Sequence, residues 1–297
     1  MSQQQRQALD ELLREAPLDV GGDVTEQRAL FHEMISSVPL PDDISTKQTE
    51  LGSVPVVTVE TLGLDPSVVV LYFHGGAYAL GSAADSVGLA ADVSRRVGAK
   101  TISVDYRLAP EHPFPAAMDD AVAAYRALLG EGVPSSRIAF VGESAGGGLV
   151  ASALVALKDT DLPQPSCAAV FSPWADLSVS GASATGKAAL DPALTPEALR
   201  IRARDYLGEL DRTTPLASPV FADLTGLPPL LVQVGSHEIL LDDAIRLAAG
   251  AARHDVPVEL QVWPGVPHVF QGFAALLDDA DQALDAAAAF IRRNWAG

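Results

Sequence analysis

Ser144 lies between two glycines in Gly142-Glu143-Ser144-Ala145-Gly146, a G-x-S-x-G. A short apolar run, Ile138 to Val141, leads into it, and a run of small and apolar residues, Leu149 to Leu157, follows. In a strand-to-helix turn this pattern puts a serine on a tight, strained corner with its hydroxyl exposed, ready to act as a nucleophile. The glycines are needed because side chains there would collide with the neighbouring strand and helix. The helix N-terminus directs free N–H groups at the same spot, which suits a developing oxyanion.

A second glycine-rich segment, His74-Gly75-Gly76-Ala77-Tyr78, follows the apolar run Val68 to Phe73. A strand running into H-G-G is the other half of an oxyanion hole. Gly75 and Gly76 let backbone N–H groups approach a substrate oxygen closely. His74 itself reads as a hydrogen-bonder that fixes the loop. A third segment, Asp105 to Ala117, is stiffened by Pro110, Pro113 and Pro115. Its Asp105, Arg107 and Glu111 are expected to form an ion-pair network that serves as scaffold.

These segments need elements to hold them. Val68 to Phe73 is continuously apolar, as expected of a strand buried on both faces of a parallel sheet. Further strands are expected at Val54–Val59, Thr101–Val104, Ile138–Val141, Ala168–Phe171, Leu230–Val234 and Val258–Val262. Helical periodicity marks Ser86–Val97, Pro115–Leu129, Ala145–Lys158, Leu241–Arg253 and Asp278–Asn294. Strand–helix alternation of this kind predicts a doubly wound α/β sheet, with active-site loops at the carboxyl ends of its strands. Two amphipathic helices, Gln3–Arg14 and Glu26–Ser36, precede every expected strand and suit either a lid or ordinary N-terminal packing. Residues 175–220 break the alternation with a helix at Pro196–Leu207 and form an insertion between two strands.

Composition narrows the function. A 297-residue chain with 48% hydrophobic residues and a mean hydropathy of +0.20 has material for a sizeable core. A net charge of −18 excludes nucleic-acid binding, which needs clustered Lys and Arg, and favours neutral over anionic substrates. The single Cys167 excludes an internal disulfide and fits a reducing compartment. Met1 to Arg14 is polar, unlike a signal segment, and no run approaches the roughly 18 apolar residues of a membrane span. A cytoplasmic location is expected. The chain has no H-E-x-x-H, no Cys cluster and no P-loop, so no metal or other cofactor is expected.

Taken together, His74-Gly75-Gly76, Asp105-Tyr106-Arg107-Leu108-Ala109-Pro110-Glu111 and Gly142-Glu143-Ser144-Ala145-Gly146-Gly147 resemble the motifs of the hormone-sensitive-lipase-like family of α/β-hydrolases, in spacing and order, over residues 50–295. The resemblance implies an α/β-hydrolase fold: a mostly parallel eight-stranded sheet, helices on both faces and a helical cap. Residues 1–45 would form the N-terminal part of the cap and 46–297 the catalytic domain, with 178–220 as the cap insertion. It implies a serine carboxylesterase for short-acyl, neutral, small-molecule esters. A lactone hydrolase for cyclic, terpene-like esters is an alternative, as is a non-catalytic ligand receptor on the same fold. It also implies a homodimer through the last strand and neighbouring helix.

In such an enzyme the triad runs Ser, acid, His along the chain. Of the six histidines, His32, His74 and His112 precede Ser144, His237 adjoins the acid segment and His254 ends a helix. His268 remains, on a loop stiffened by Pro264, Gly265 and Pro267. The family's first acidic position falls on Glu238, where aspartate is usual; Asp242 is the alternative acid. The family pattern adds Ala77 to Gly76 as a loop donor beside the Ala145 N–H. Trp174 and Asp176, in Ser172-Pro173-Trp174-Ala175-Asp176, match a further family segment and read as scaffold. Phe31, Met34, Tyr78, Leu194 and Tyr206 are candidates for the substrate pocket.

Overall fold

The computed structural model describes residues 3–36, 40–61, 63 and 65–295. Eight strands are present: β1 (Ile44–Leu51), β2 (Val54–Thr61), β3 (Asp65–Phe73), β4 (Ala99–Val104), β5 (Ile138–Glu143), β6 (Cys167–Phe171), β7 (Leu230–Gly235) and β8 (Val258–Trp263). They form one sheet in the order β1-β2-β4-β3-β5-β6-β7-β8. The β1–β2 and β2–β4 pairs are antiparallel and every later pair is parallel. The helices are α1 (Gln3–Glu15), α2 (Val24–Ser36), α3 (Val87–Val97), α4 (Ala116–Gly130), α5 (Ala145–Leu157), α6 (Ala182–Gly186), α7 (Pro196–Leu207), α8 (Leu241–Arg253) and α9 (Asp278–Asn294).

Side-chain alternation divides the core between the two faces. Val69, Leu71 and Phe73 of β3 join one apolar layer with α4, α5 and α8. Val68, Val70 and Tyr72 of the same strand join a second layer with α3 and α9. Ile138 and Phe140 of β5 face the first layer, and Ala139 and Val141 the second. Two-sided burial is why these strands are apolar at every position. The expected eight-stranded α/β-hydrolase sheet with helices on both faces is present.

Strand β1, like the short helix α6, is absent from the sequence expectations. Its residues, Ile-Ser-Thr-Lys-Gln-Thr-Glu-Leu, lie on the sheet edge, where only Leu51 is buried. An exposed edge strand needs no apolar face, so periodicity gives no sign of it. It begins at Ile44, so the expected division at residue 45 falls inside it.

The N-terminal helices bridge the elements around the carboxyl ends of the strands. Leu9 of α1 packs with Val266, Phe270, Leu277 and Ala283, on the loop after β8 and on α9. Arg6 is paired with Asp279 of α9 at 2.9 Å. Arg202 of α7 donates to the carbonyls of Gly21 and Gly22 just before α2. Arg28 of α2 donates to the carbonyls of Ala79 and Ala109 and to the Glu111 carboxylate. Among the described residues, no helix is long and apolar enough to cross a membrane.

Candidate active site

The turn between β5 and α5 places Ser144 at φ 52° and ψ −122°, a left-handed conformation that a side chain adopts only under constraint. The constraint is visible on every side. The Ser144 N–H donates to the Phe171 carbonyl at 2.8 Å, and its own carbonyl accepts from Trp174 and Gly148. A methyl group on Gly142 would lie 2.4 Å from the Gly146 carbonyl oxygen, and one on Gly146 only 2.0 Å from that of Phe73. Both glycines are therefore steric requirements of the corner, and the second sets how closely α5 approaches the end of β3.

Two loops bring the partners of Ser144. The segment after β8 carries His268, and the turn after β7 carries Glu238. His268 Nε2 lies 2.9 Å from Ser144 Oγ, and His268 Nδ1 lies 2.8 Å from Glu238 Oε2. A carboxylate has only acceptors, so Nδ1 carries the proton in that contact and Nε2 is left to accept from the Ser144 hydroxyl. Glu238 is fully buried, and its other oxygen, Oε1, accepts from the Gly235 N–H at 2.6 Å and the Ser172 hydroxyl at 2.8 Å. The alternative acid, Asp242, is elsewhere: its carboxylate accepts from the Ser183 N–H at 2.9 Å. Asp243 caps the backbone of Ala175 and Asp176 and pairs with Arg246. Burial, reinforced by the charge of Asp176, pushes the Asp243 carboxyl up to about 8.

Ser172 did not stand out in the sequence, because it read as part of a scaffold segment. Its hydroxyl donates to Glu238 and accepts from the N–H of Val269, the residue after His268, at 3.1 Å. It thus ties Glu238 to the loop that carries His268. Its positive φ of 47° is a local conformational cost held by the surrounding structure. A serine after a buried strand is too common a pattern to have marked it.

The 74–78 loop lies against the elbow, since a methyl group on Gly75 would stand 3.2 Å from Ser144 Cβ. Gly76, Ala77 and Tyr78 all have positive φ, and Gly76 has no room for a side chain against the Leu80 carbonyl. The N–H groups of Gly76 and Ala77 have no hydrogen-bond acceptor among the described residues. Ala145, the first residue of α5, has no intrahelical acceptor for its N–H. Gly75 departs from the expectation for a donor: its N–H is directed to Glu143 Oε1 at 3.2 Å. A side-chain carboxylate in the variable position of the elbow motif takes that donor, which the backbone pattern alone could not reveal. His74 is buried, stacks on Tyr106 at 4.2 Å and pairs through Nδ1 with the Gly75 carbonyl. Burial holds its pKa below the ordinary histidine value.

Three carboxylates contribute negative charge at the His268 imidazole. Burial by itself disfavours the cation, but the hydrogen bond and charge of Glu238, followed by the charges of Asp191 and Glu143, outweigh it. The His268 pKa is raised above its ordinary value. Burial also raises the carboxyl groups of Glu143 and Asp191.

The other candidate residues differ in exposure. Tyr78 and Tyr206 are almost wholly buried and stack on each other with centroids 3.9 Å apart. Leu194 is buried, whereas Phe31 and Met34 on α2 are half-buried. The expected network within 105–111 is not the one formed. Arg107 pairs with Asp120 of α4, Glu111 pairs with Arg28 of α2, and Asp105 accepts from the Ala83 N–H. Each charge in this loop is matched by a different element.

The strand order and the elbow at the carboxyl end of β5 define an α/β-hydrolase, and a family model described as the alpha/beta hydrolase fold matches residues 70–272. The chain belongs to this family, within its hormone-sensitive-lipase group, and is a carboxylic ester hydrolase. It is 46% identical over 223 residues to an acetyl-hydrolase of Streptomyces hygroscopicus, covering 75% of each chain. The crystal structure of an esterase from the bacterial hormone-sensitive lipase family superimposes with a TM-score of 0.96 at 41% identity, covering 100% of both chains. Another similar structure, of EstE5 soaked with p-nitrophenyl butyrate, has a TM-score of 0.94 at 37% identity and also covers 100% of both chains.

Proposed function

We propose that the chain hydrolyses short-acyl, neutral carboxylic esters through a covalent acyl-enzyme on Ser144, with His268 as general base and Glu238 as the acid that orients it. The observation that carries this reading is the unbroken relay Ser144 Oγ–His268 Nε2 at 2.9 Å and His268 Nδ1–Glu238 Oε2 at 2.8 Å. As Ser144 Oγ attacks the ester carbonyl, its proton passes to His268 Nε2. The oxyanion is held by the N–H groups of Ala145, Gly76 and Ala77, each such donor contributing about 10²–10³-fold in kcat. Collapse of the tetrahedral intermediate breaks the ester C–O bond, and the leaving alcohol takes the proton from His268. Water then repeats the sequence on the acyl-enzyme and frees the acid. The Glu238 carboxylate orients His268 and stabilises the imidazolium in both halves.

Acyl preference is supported by the name of the acetyl-hydrolase relative and by the butyrate ester soaked into the EstE5 crystal. Preference for neutral esters follows from the acidic protein as a whole, at net charge −18. An organophosphonate ester is the direct test. It is expected to modify the protein at one equivalent, with the label on Ser144 by peptide mass spectrometry. A non-catalytic receptor on this fold would not be labelled stoichiometrically.

The raised His268 pKa fixes the sign of the pH dependence. Only the neutral imidazole accepts the Ser144 proton, so kcat/KM falls as pH drops through that pKa. The acidic limb is expected above about 6.5, the unperturbed histidine value. A limb in the carboxylate range would count against His268 as the base.

The resemblance to the family also leads us to propose a homodimer through β8. This edge strand exposes Leu260 and Val262, and neighbouring α8 exposes Ile245. Sedimentation analysis is expected to give a dimer mass that Val262→Lys reduces toward the monomer. A wild-type monomer at micromolar concentration would refute the interface.

A further inference from the structure

Asp191 lies between α6 and α7, in the segment that links β6 to β7, and is 5% exposed. A carboxylate so buried needs partners, and its partners link two parts of the chain. Oδ1 accepts from the N–H groups of Ala193 and Leu194, both at 2.9 Å, which closes its own loop. Oδ2 accepts from the Ile239 N–H at 2.8 Å. Ile239 directly follows Glu238, so this bond fixes the peptide that carries the acid.

A second tie joins the same two segments without a charge at the donor. The Ser183 hydroxyl of α6 donates to the Ile239 carbonyl at 2.7 Å and accepts from the Asp242 N–H at 2.9 Å. The turn that carries Glu238 is therefore held on both sides by the insertion. From outside, Arg14 of α1 donates to the carbonyls of Ala189 and Leu190, next to Asp191.

We propose that Asp191 is a positioning residue of the esterase: its carboxylate secures the acid-bearing turn and sets a further negative charge against the His268 imidazole. This inference rests on the triad reading given above. The charged groups around His268 are Glu238 from the turn after β7, Glu143 from the end of β5 and Asp191 from the insertion. Asp191 in turn interacts electrostatically with His268, Glu238 and, from α1, Arg14. The insertion thus supplies both a hydrogen bond to the acid's backbone and part of the field that stabilises the imidazolium.

The two contributions separate experimentally. Asp191→Asn keeps the shape but removes the charge and opposes an NH₂ to one of the backbone donors, Asp191→Ser removes shape and charge, and Ser183→Ala removes only the uncharged tie. The pH profile of kcat/KM for p-nitrophenyl butyrate is measured for each, beside thermal melts. Loss of the neighbouring negative charge makes the imidazolium less favourable, so the acidic limb of Asp191→Asn moves to lower pH. The direction is the reading: a nearby opposite charge favours the protonated imidazole, so its removal shifts the limb downward and never upward. Plateau kcat falls by about ten-fold through displacement of Glu238, with KM within about two-fold. Ser183→Ala lowers the plateau and leaves the limb in place.

If the asparagine variant melts early, Asp191→Ser reads the same limb. A limb that coincides with wild type in the folded variant, or that moves equally in Ser183→Ala, overturns the proposal. Ser144→Ala distinguishes the underlying reading. If it retains turnover, the triad reading fails. If it is inactive while the Asp191 limb is unmoved, only the role of Asp191 fails.

Discussion

Ser144→Ala is expected to lower kcat for p-nitrophenyl butyrate by about 10⁴–10⁶-fold, the range seen when a serine nucleophile is removed from a triad. Residual turnover comes from binding and from the oxyanion donors, which are backbone groups of Gly76, Ala77 and Ala145 and survive the change. Stability should scarcely move, by about 1 kcal/mol at most, because one partly exposed hydrogen bond is lost. The corner itself is held by the Ser144 backbone through Phe171, Trp174 and Gly148, and alanine keeps all three bonds. An inactive variant with a wild-type melting curve is therefore the expected result. Wild-type turnover would show that hydrolysis here does not pass through the serine, and would sink the acyl-enzyme mechanism.

Much of this arrangement was legible before the structure because it rests on local rules. The apolar runs of β3 and β5 mark strands buried on both faces, and the glycines of 142–146 mark a turn that tolerates nothing larger. Chain order and a stiff loop then single out His268. What was not legible depends on contacts distant in sequence. Ser172 lies 66 residues from Glu238 and 97 from Val269, yet joins them through one hydroxyl. The Gly75 N–H is taken by Glu143, 68 residues away. The stacking of Tyr78 on Tyr206 likewise joins two residues far apart in the chain. Strand β1 escaped for a different reason, since its edge position relieves it of any apolar face.

The insertion between β6 and β7 bears directly on Glu238. The backbone around Glu238 is hydrogen-bonded to the insertion at Ile239 and Asp242, not only to the sheet. Substitutions in that segment are therefore felt in catalysis even without touching substrate. Rigid first partners need rigid supports, and a displacement near 1 Å is enough to cost about 10²-fold in rate.

Glu238→Gln is expected to reduce kcat by about 10³–10⁴-fold with little change in KM. The reason lies in the two fixed donors on the far side of the carboxylate. Oε1 accepts from the Gly235 N–H at 2.6 Å and from Ser172, whose oxygen is already occupied as acceptor for Val269. A glutamine must turn its carbonyl oxygen toward these donors, because its NH₂ would be opposed by the Gly235 N–H. The NH₂ then faces His268 Nδ1, which must become an acceptor, so Nε2 carries the proton and no longer receives one from Ser144. Glu238→Asp keeps the charge but is shorter by one methylene. Its carboxylate does not span from Gly235 to His268 at the observed distances of 2.6 and 2.8 Å, and about a 10–100-fold loss is expected. In the proposed triad Glu238 is thus matched in length to its supports, although aspartate is the more usual residue in the family. Kinetics of both variants across pH, beside Asp242→Asn, decide the assignment. Unchanged turnover in Glu238→Gln, with loss in Asp242→Asn, would transfer the role to Asp242.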